Sequence, residues 1–227
     1  AEVRRGWGAG EHDLVALFVG KFIAKKRPTD LLQAMVHGAK RSGACPTSNN
    51  QQRTSNIEGR GSGNERGDEW MAVFVGAGPL ESRLREFAAQ ARLRVHFAGF
   101  KNQSELPACY AAADVLVLPS GSETWGLVVN EAMACGIPAI VSDAAGCAPD
   151  LIEEGRTGFT FPVGDAAALA DRLTRLGRMR AEGHDFGPAV REKMERYSVQ
   201  RAVEGTVLAV ERVLELSGRH RRGLAGL

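Results

Sequence analysis

The sequence predicts an α/β fold, a parallel sheet covered by helices on both faces. Short, continuous apolar runs bounded by glycine or proline recur along the chain. Each is followed by a stretch whose apolar residues fall at helical spacing. The two patterns alternate instead of segregating, which a sheet buried on both faces requires.

The first run, "LVALFVG" (14–20), reads as a buried strand with a glycine stop. "PTDLLQAMVHGAK" follows with proline near its start and Leu31, Leu32, Met35 and Val36 on one face. The pair repeats as "MAVFVG" (71–76) and "PLESRLREFAAQAR", where Leu80, Leu84, Phe87 and Ala88 share a face. It recurs as "VHFAGF" with "SELPACYAAAD", and as "VLVLPS" with "LVVNEAMACG". "IPAIVS", "GFTFPV" and "DAAALADRLTRLG" complete the series. Ligands on such sheets bind beyond the carboxyl ends of the strands, so the turns there are the first places to look for chemistry.

At 227 residues the chain is long enough to bury a real core, and 44% hydrophobic with 25% charged residues is ordinary for a globular protein. The charge of +2 does not call for nucleic acid or an acidic partner. No apolar run approaches the roughly 18 residues that span a bilayer, and "AEVRRGWGAGEHD" carries no secretory pattern. Cys45, Cys109, Cys135 and Cys147 form no C-x-x-C pair, so reduced thiols and a cytoplasmic location are expected. "RHRR" (219–222) reads as a solvated tail, with peripheral contact to anionic lipid as the weaker alternative. Residues 1–13 are expected to be a linker, 14–197 the main domain and 198–227 a final helix and tail. The segment 41–69, rich in Gly, Asn, Ser and Gln, is expected to be a flexible insertion, because it has too little apolar surface to offset its ordering entropy. Val199, Val203, Val207, Val210 and Leu214 form a stripe that predicts a helix packed against something.

"VGAGPLES" invites a dinucleotide-binding reading, but the third glycine of that motif would fall at Glu81, an acid beside a pyrophosphate. Gly76 and Gly78 then read as turn glycines. "GKFIAKKRP" sets Lys21, Lys25, Lys26 and Arg27 in a loop after the first strand. "TWGLVVNEAM" opens a helix with Gly126 near its first turn, where unpaired N–H groups and the positive end of the helix dipole favour anions. Two lysines and a helix N-terminus can cradle a diphosphate.

Glu123 and Glu131 flank that helix start, eight positions apart. A glycosidase pair would need one acid of raised pKa, and a neighbouring cationic cradle pushes the other way. Ionised carboxylates instead grip vicinal hydroxyls. Glu131, a turn into the helix, is suited to a ribose diol, and Glu123 to a sugar beyond the diphosphate. Asp143 reads as a loop or capping residue, His96 as a structural histidine within a strand, and Trp125 as a turn aromatic or a stacking platform.

The E-x7-E of "PSGSETWGLVVNEAMACGIPAIVSD", with "VGKFIAKKRPTDLLQAM", "FVGAGPLESRLREFAAQ" and "VHFAGF" before it, resembles the donor-binding half of glycosyltransferase family 4 over roughly residues 14–178. Those enzymes are retaining and have the GT-B architecture of two Rossmann-like domains. The resemblance implies that Lys21 and Lys26 neutralise the donor diphosphate, and that Glu131 binds the ribose. It also implies that Glu123, with the backbone of Thr124, Trp125, Gly126 and Leu127, contacts the transferred sugar and distal phosphate. Lys21 stands where the family more usually has Arg, which keeps the charge and loses the bidentate fork. Phe100 and Lys101 are implied at the base edge through main-chain groups, which leave no side-chain signature.

The implied reaction is transfer of a sugar from a nucleotide-diphospho-sugar with retention of configuration, with no metal and no further cofactor. The acceptor-binding N-terminal half is absent from this sequence, so the chain is expected to act with it in cis or as a separate chain, and to transfer sugar poorly alone. The last helix is implied to cross onto that half. A non-catalytic nucleotide-sugar-binding module is the alternative reading, and a sugar-nucleotide epimerase a third.

Overall fold

A computed structural model describes residues 2–41 and 70–224. From residue 42 onward the insertion expected at 41–69 lies outside the described residues, as do the side chains of the basic tail at 219–222. Six strands form one parallel sheet: β1 (Leu14–Val19), β2 (Trp70–Val75), β3 (Val95–Gly99), β4 (Val115–Leu118), β5 (Ala139–Ser142) and β6 (Gly158–Phe161). Their order is β3-β2-β1-β4-β5-β6, so the chain winds outward in one direction from β1 and in the other from β4. The β1–β2 register pairs Leu14 with Trp70 through Val19 with Val75. Across the centre, Ala16 and Leu17 pair with Val115 and Leu116.

The strands form where both faces are covered. β1, β4 and β5 are buried at every position, which a continuous apolar run permits and an alternating one would not. Helices α2 (Pro28–Arg41), α3 (Glu81–Gln90), α4 (Leu106–Ala112), α5 (Leu127–Ala134), α6 (Ala148–Leu151), α7 (Ala166–Ala181) and α8 (Gly187–Arg196) supply the cover. Each predicted strand–helix pair is present. Proline opens α2, and Asp165 caps α7 by accepting a hydrogen bond from the Ala168 N–H at 2.8 Å. Phe18, Phe22, Phe74 and Phe97 pack together at one end of the sheet, with centroids 5.3 Å apart for the stacked Phe74–Phe97 pair.

One expectation is revised. Residues 1–13 are a docked cap and not a free linker. They form α1 (Glu2–Gly6), bury Trp7 and Ala9 in the core, and send the Arg4 guanidinium to Asp114 Oδ2 at 2.9 Å. The stripe on α9 (Val199–Leu224) packs against nothing in the described chain: Val199, Val203, Val207, Val210 and Leu214 are all exposed. Tyr197 and Ser198 separate α8 from α9. Among the described residues no helix is long and apolar enough to cross a membrane.

Candidate functional site

The point where the winding reverses lies between β1 and β4, and such switch points open a crevice at the carboxyl edge. The loops that follow β1 and β4 meet there, although nearly a hundred residues separate them in sequence.

The loop after β1 is pinned from one side. Gly20 N–H donates to the Val75 carbonyl and Phe22 N–H to the Ala77 carbonyl, both at 3.0 Å, while Leu80 N–H donates back to Phe22 at 3.0 Å. This close approach explains Gly76 and Gly78 better than turn geometry does. A Cβ at Gly76 would stand 2.0 Å from the Gly20 carbonyl oxygen, and one at Gly78 would stand 2.6 Å from that of Phe22. The buried Phe22 ring anchors the loop, leaving Lys21 exposed on one side and one turn of 3-10 helix, Ala24–Lys26, on the other. Arg27 then takes a left-handed backbone conformation (φ 48°), with Nε donating to Asp30 at 2.7 Å.

The loop after β4 is held from both sides. Gly121 N–H donates to the Lys25 carbonyl at 2.9 Å, joining it to the lysine loop. On its other flank Gly146 N–H donates to the Glu123 carbonyl at 2.9 Å and Cys147 N–H to that of Trp125 at 3.0 Å. Buried Ser142 donates its hydroxyl to the Ser120 carbonyl at 2.6 Å. Clamped in this way, the Glu123 carboxylate meets the Lys26 ammonium directly in an ion pair that is only partly exposed.

Gly126 ends the loop with φ +108°, which L side chains rarely adopt, and a Cβ there would lie 2.8 Å from Leu118. It is the N-terminal flank of α5, and no side chain caps that end. Val129 N–H turns back to the Gly126 carbonyl at 2.8 Å, and the N–H groups of Leu127 and Val128 are what this end offers to the crevice. Leu127, its first residue, is exposed, and so is Thr124. Glu131 projects from the next turn, where Tyr110 of α4 donates its hydroxyl to Glu131 Oε2 at 2.6 Å.

The sequence-predicted residues are thus not all assembled to the same degree. Lys26 and Glu123 touch, and Thr124, Trp125, Gly126, Leu127 and Glu131 follow along one loop and helix. Lys21 lies on the same loop as Lys26, and among the described residues its side chain pairs with no acid. Phe100 is 76% exposed just past β3, beyond the Gly99 carbonyl that accepts from Gly76 N–H at 2.8 Å. Lys101 pairs with Glu105 at 3.0 Å. The Trp125 indole is committed within the protein: Nε1 donates to Asn130 Oδ1 at 2.7 Å and the ring lies 6.3 Å from that of Tyr197. Asp143 accepts from Val163 N–H at 2.9 Å as a loop residue. His96 is half-buried beside Trp7, and burial lowers its pKa. Burial pushes the Cys147 thiol up to about 11, so it stays protonated behind the Glu123 loop.

Two participants were not read from the sequence. Ser142 has no local signature. Tyr110 had one, a tyrosine on the packing face of an alanine-rich helix, whose buried hydroxyl must find a partner. Its partner is set only by how α4 lies against α5.

A family model described as "Glycosyl transferases group 1" matches residues 1–193. Among curated proteins, the chain is 39% identical over 132 residues to the sulfoquinovosyl transferase of Arabidopsis thaliana, covering 57% of this chain and 25% of that protein. It is 29% identical over 214 residues to a D-inositol 3-phosphate glycosyltransferase of Streptomyces bingchenggensis, covering 91% of this chain and 42% of that one. The chain therefore spans less than half the length of these relatives. Among solved structures, sucrose-phosphate synthase from Thermosynechococcus elongatus aligns with a TM-score of 0.67 at 25% identity, over 95% of this chain and 49% of that one. Anabaena HepE in complex with UDP aligns at 0.69 with 21% identity, over 92% of this chain and 52% of that one, a likeness of fold.

Proposed function

The chain belongs to the group 1 glycosyl transferases, and from that premise we propose that it binds a nucleotide-diphospho-sugar across the start of α5 and takes part in transferring the sugar with retention of configuration. The contact between Lys26 and Glu123 carries this reading. An ammonium has three N–H donors, so one spent on Glu123 leaves two for phosphate oxygens. In this reading the same contact keeps the Glu123 carboxylate beside the diphosphate, toward its sugar. Lys21 and the uncapped α5 terminus add positive potential where the leaving group gathers charge, and preorganised charge at that place lowers the barrier. Glu131 takes the ribose hydroxyls, and main-chain groups at Phe100 and Lys101 take the base edge. The acceptor belongs to a partner half, in cis or as a separate chain, which the exposed stripe on α9 is suited to meet.

Calorimetric titration of the chain with UDP, GDP and ADP tests the donor site. One of the three should bind, and Lys26→Ala should weaken it about tenfold or more, since an ammonium–phosphate contact at an effective dielectric near 20 is worth roughly 4 kcal/mol before desolvation. Absence of binding by all three, or equal affinity in the variant, would defeat the proposal. In a protein completed by its other half, Glu131→Gln should depress transfer along with donor affinity. A non-catalytic module would show no transfer to depress.

A further inference from the structure

We propose that Tyr110 is a positioning residue that sets how strongly the site discriminates for ribose hydroxyls, by holding the Glu131 carboxylate in its receiving orientation. This rests on the reading that Glu131 takes the ribose. Glu131 is exposed on the second turn of α5, and a glutamate in that setting moves among several rotamers. Gripping a diol would then require freezing those torsions at the moment of binding. Tyr110 removes that requirement. Its ring is 1% exposed and immobilised on α4, and its hydroxyl donates to Oε2 at 2.6 Å.

The chemistry of the pair is one-directional. Burial, then the hydrogen bond to Glu131 and its charge, raise the Tyr110 pKa far above its ordinary value, so the phenol remains a donor throughout the working pH range. With the proton kept on tyrosine, the phenol donates and Glu131 Oε2 accepts. Oε1 is left for a hydroxyl, and so is the remaining lone pair of Oε2. Tyr110 is buried and Glu131 exposed, so the part of the carboxylate away from the phenol is open to solvent and free to take a ligand. The orientation of Glu131 is thereby set by a residue of α4, a helix packed on α5. No other described side chain hydrogen-bonds Glu131.

The test compares ribose with a sugar lacking both hydroxyls. The diphosphate that binds the wild-type chain, among UDP, GDP and ADP, is titrated against its 2′,3′-dideoxy counterpart, for wild type and for Tyr110→Phe. The phenylalanine keeps the packing and deletes only the donor, and the circular dichroism melt checks that it folds. The ribo form should lose about tenfold in affinity and the dideoxy form little, so that discrimination falls by nearly the same factor. In a Glu131→Ala background, Tyr110→Phe should change neither affinity, because the two residues act as one unit. Equal losses for both ligands, or an undiminished ribose preference in the Tyr110→Phe chain, overturns the proposal while leaving the donor site standing. Failure of all three diphosphates to bind wild type overturns both.

Discussion

The two edges of the sheet treat charge in opposite ways. At the amino edge, Asp114 is 8% exposed and fully engaged: it accepts from Arg4 at 2.9 Å, from Arg180 at 2.8 Å and from the Val15 N–H at 2.7 Å. Asp13 beside it takes both arms of Arg94, at 2.9 and 2.7 Å, and the Gly10 N–H. At the carboxyl edge, Lys26 and Glu123 share one contact, Glu131 has Tyr110 as its one side-chain partner among the described residues, and Lys21 is exposed. Saturated acids hold α1, β1, β4 and α7 together and have nothing left to offer a ligand. Acids with spare lone pairs, beside an ammonium with spare N–H groups, contribute less to the fold and keep capacity for the recognition proposed above.

That contrast can be broken by substitution. Asp114→Ala should cost the most stability, about 3 kcal/mol, because it removes the carboxylate that ties Arg4 and Arg180 to the strand and leaves the Val15 N–H without its acceptor. Urea denaturation measures it, and donor affinity of the folded variant should be unchanged. If affinity instead fell with stability, the two edges would not be independent. Gly76→Ala should come next, at about 2 kcal/mol, since its Cβ would press 2.0 Å from the Gly20 carbonyl and force the lysine loop away. Unlike Asp114→Ala it should also weaken donor binding, because Lys26 travels with that loop.

Lys26→Ala should reverse the proportions. Its pair with Glu123 is part-exposed and screened, so the melting curve should move by no more than about 1 kcal/mol, against the tenfold or larger loss of donor affinity. A stability loss as large as that of Asp114→Ala would mean the pair is structural. The smallest effect concerns pH. The Arg94 hydrogen bond, ahead of the Gly10 N–H and the nearby guanidinium charges, holds the Asp13 pKa below its ordinary value. A depressed acid contributes stability above its unfolded pKa, near 3.9, and loses it as pH falls through the lower folded value. Asp13→Asn should therefore flatten the stability profile below about pH 4 and leave donor affinity at neutral pH untouched. His96, lowered by burial, adds a loss of the same sign as pH drops below about 6.5, where the unfolded chain takes up the proton first.

Sequence alone determined the elements. Apolar runs and helical spacing located all six strands and the helices that follow β1 to β4 and β6, because the backbone period and the burial of both sheet faces are written in local residue order; α6, four residues between β5 and β6, is too short to show a period. It also marked Lys21, Lys26, Glu123, Gly126 and Glu131, because charge, a helix start and the glycine of a tight turn are local signals. What only the tertiary structure decided is who meets whom. Lys26 reaches Glu123 across 97 positions because β1 lies beside β4, and Gly76 is required because the Gly20 carbonyl approaches it. Tyr110 joins the site because α4 packs on α5, while residues 1–13 dock because Arg4 finds Asp114 and Trp7 finds the core. Such pairings depend on strand order and helix placement, which are set by the balance of packing over the whole chain and by no single stretch of it.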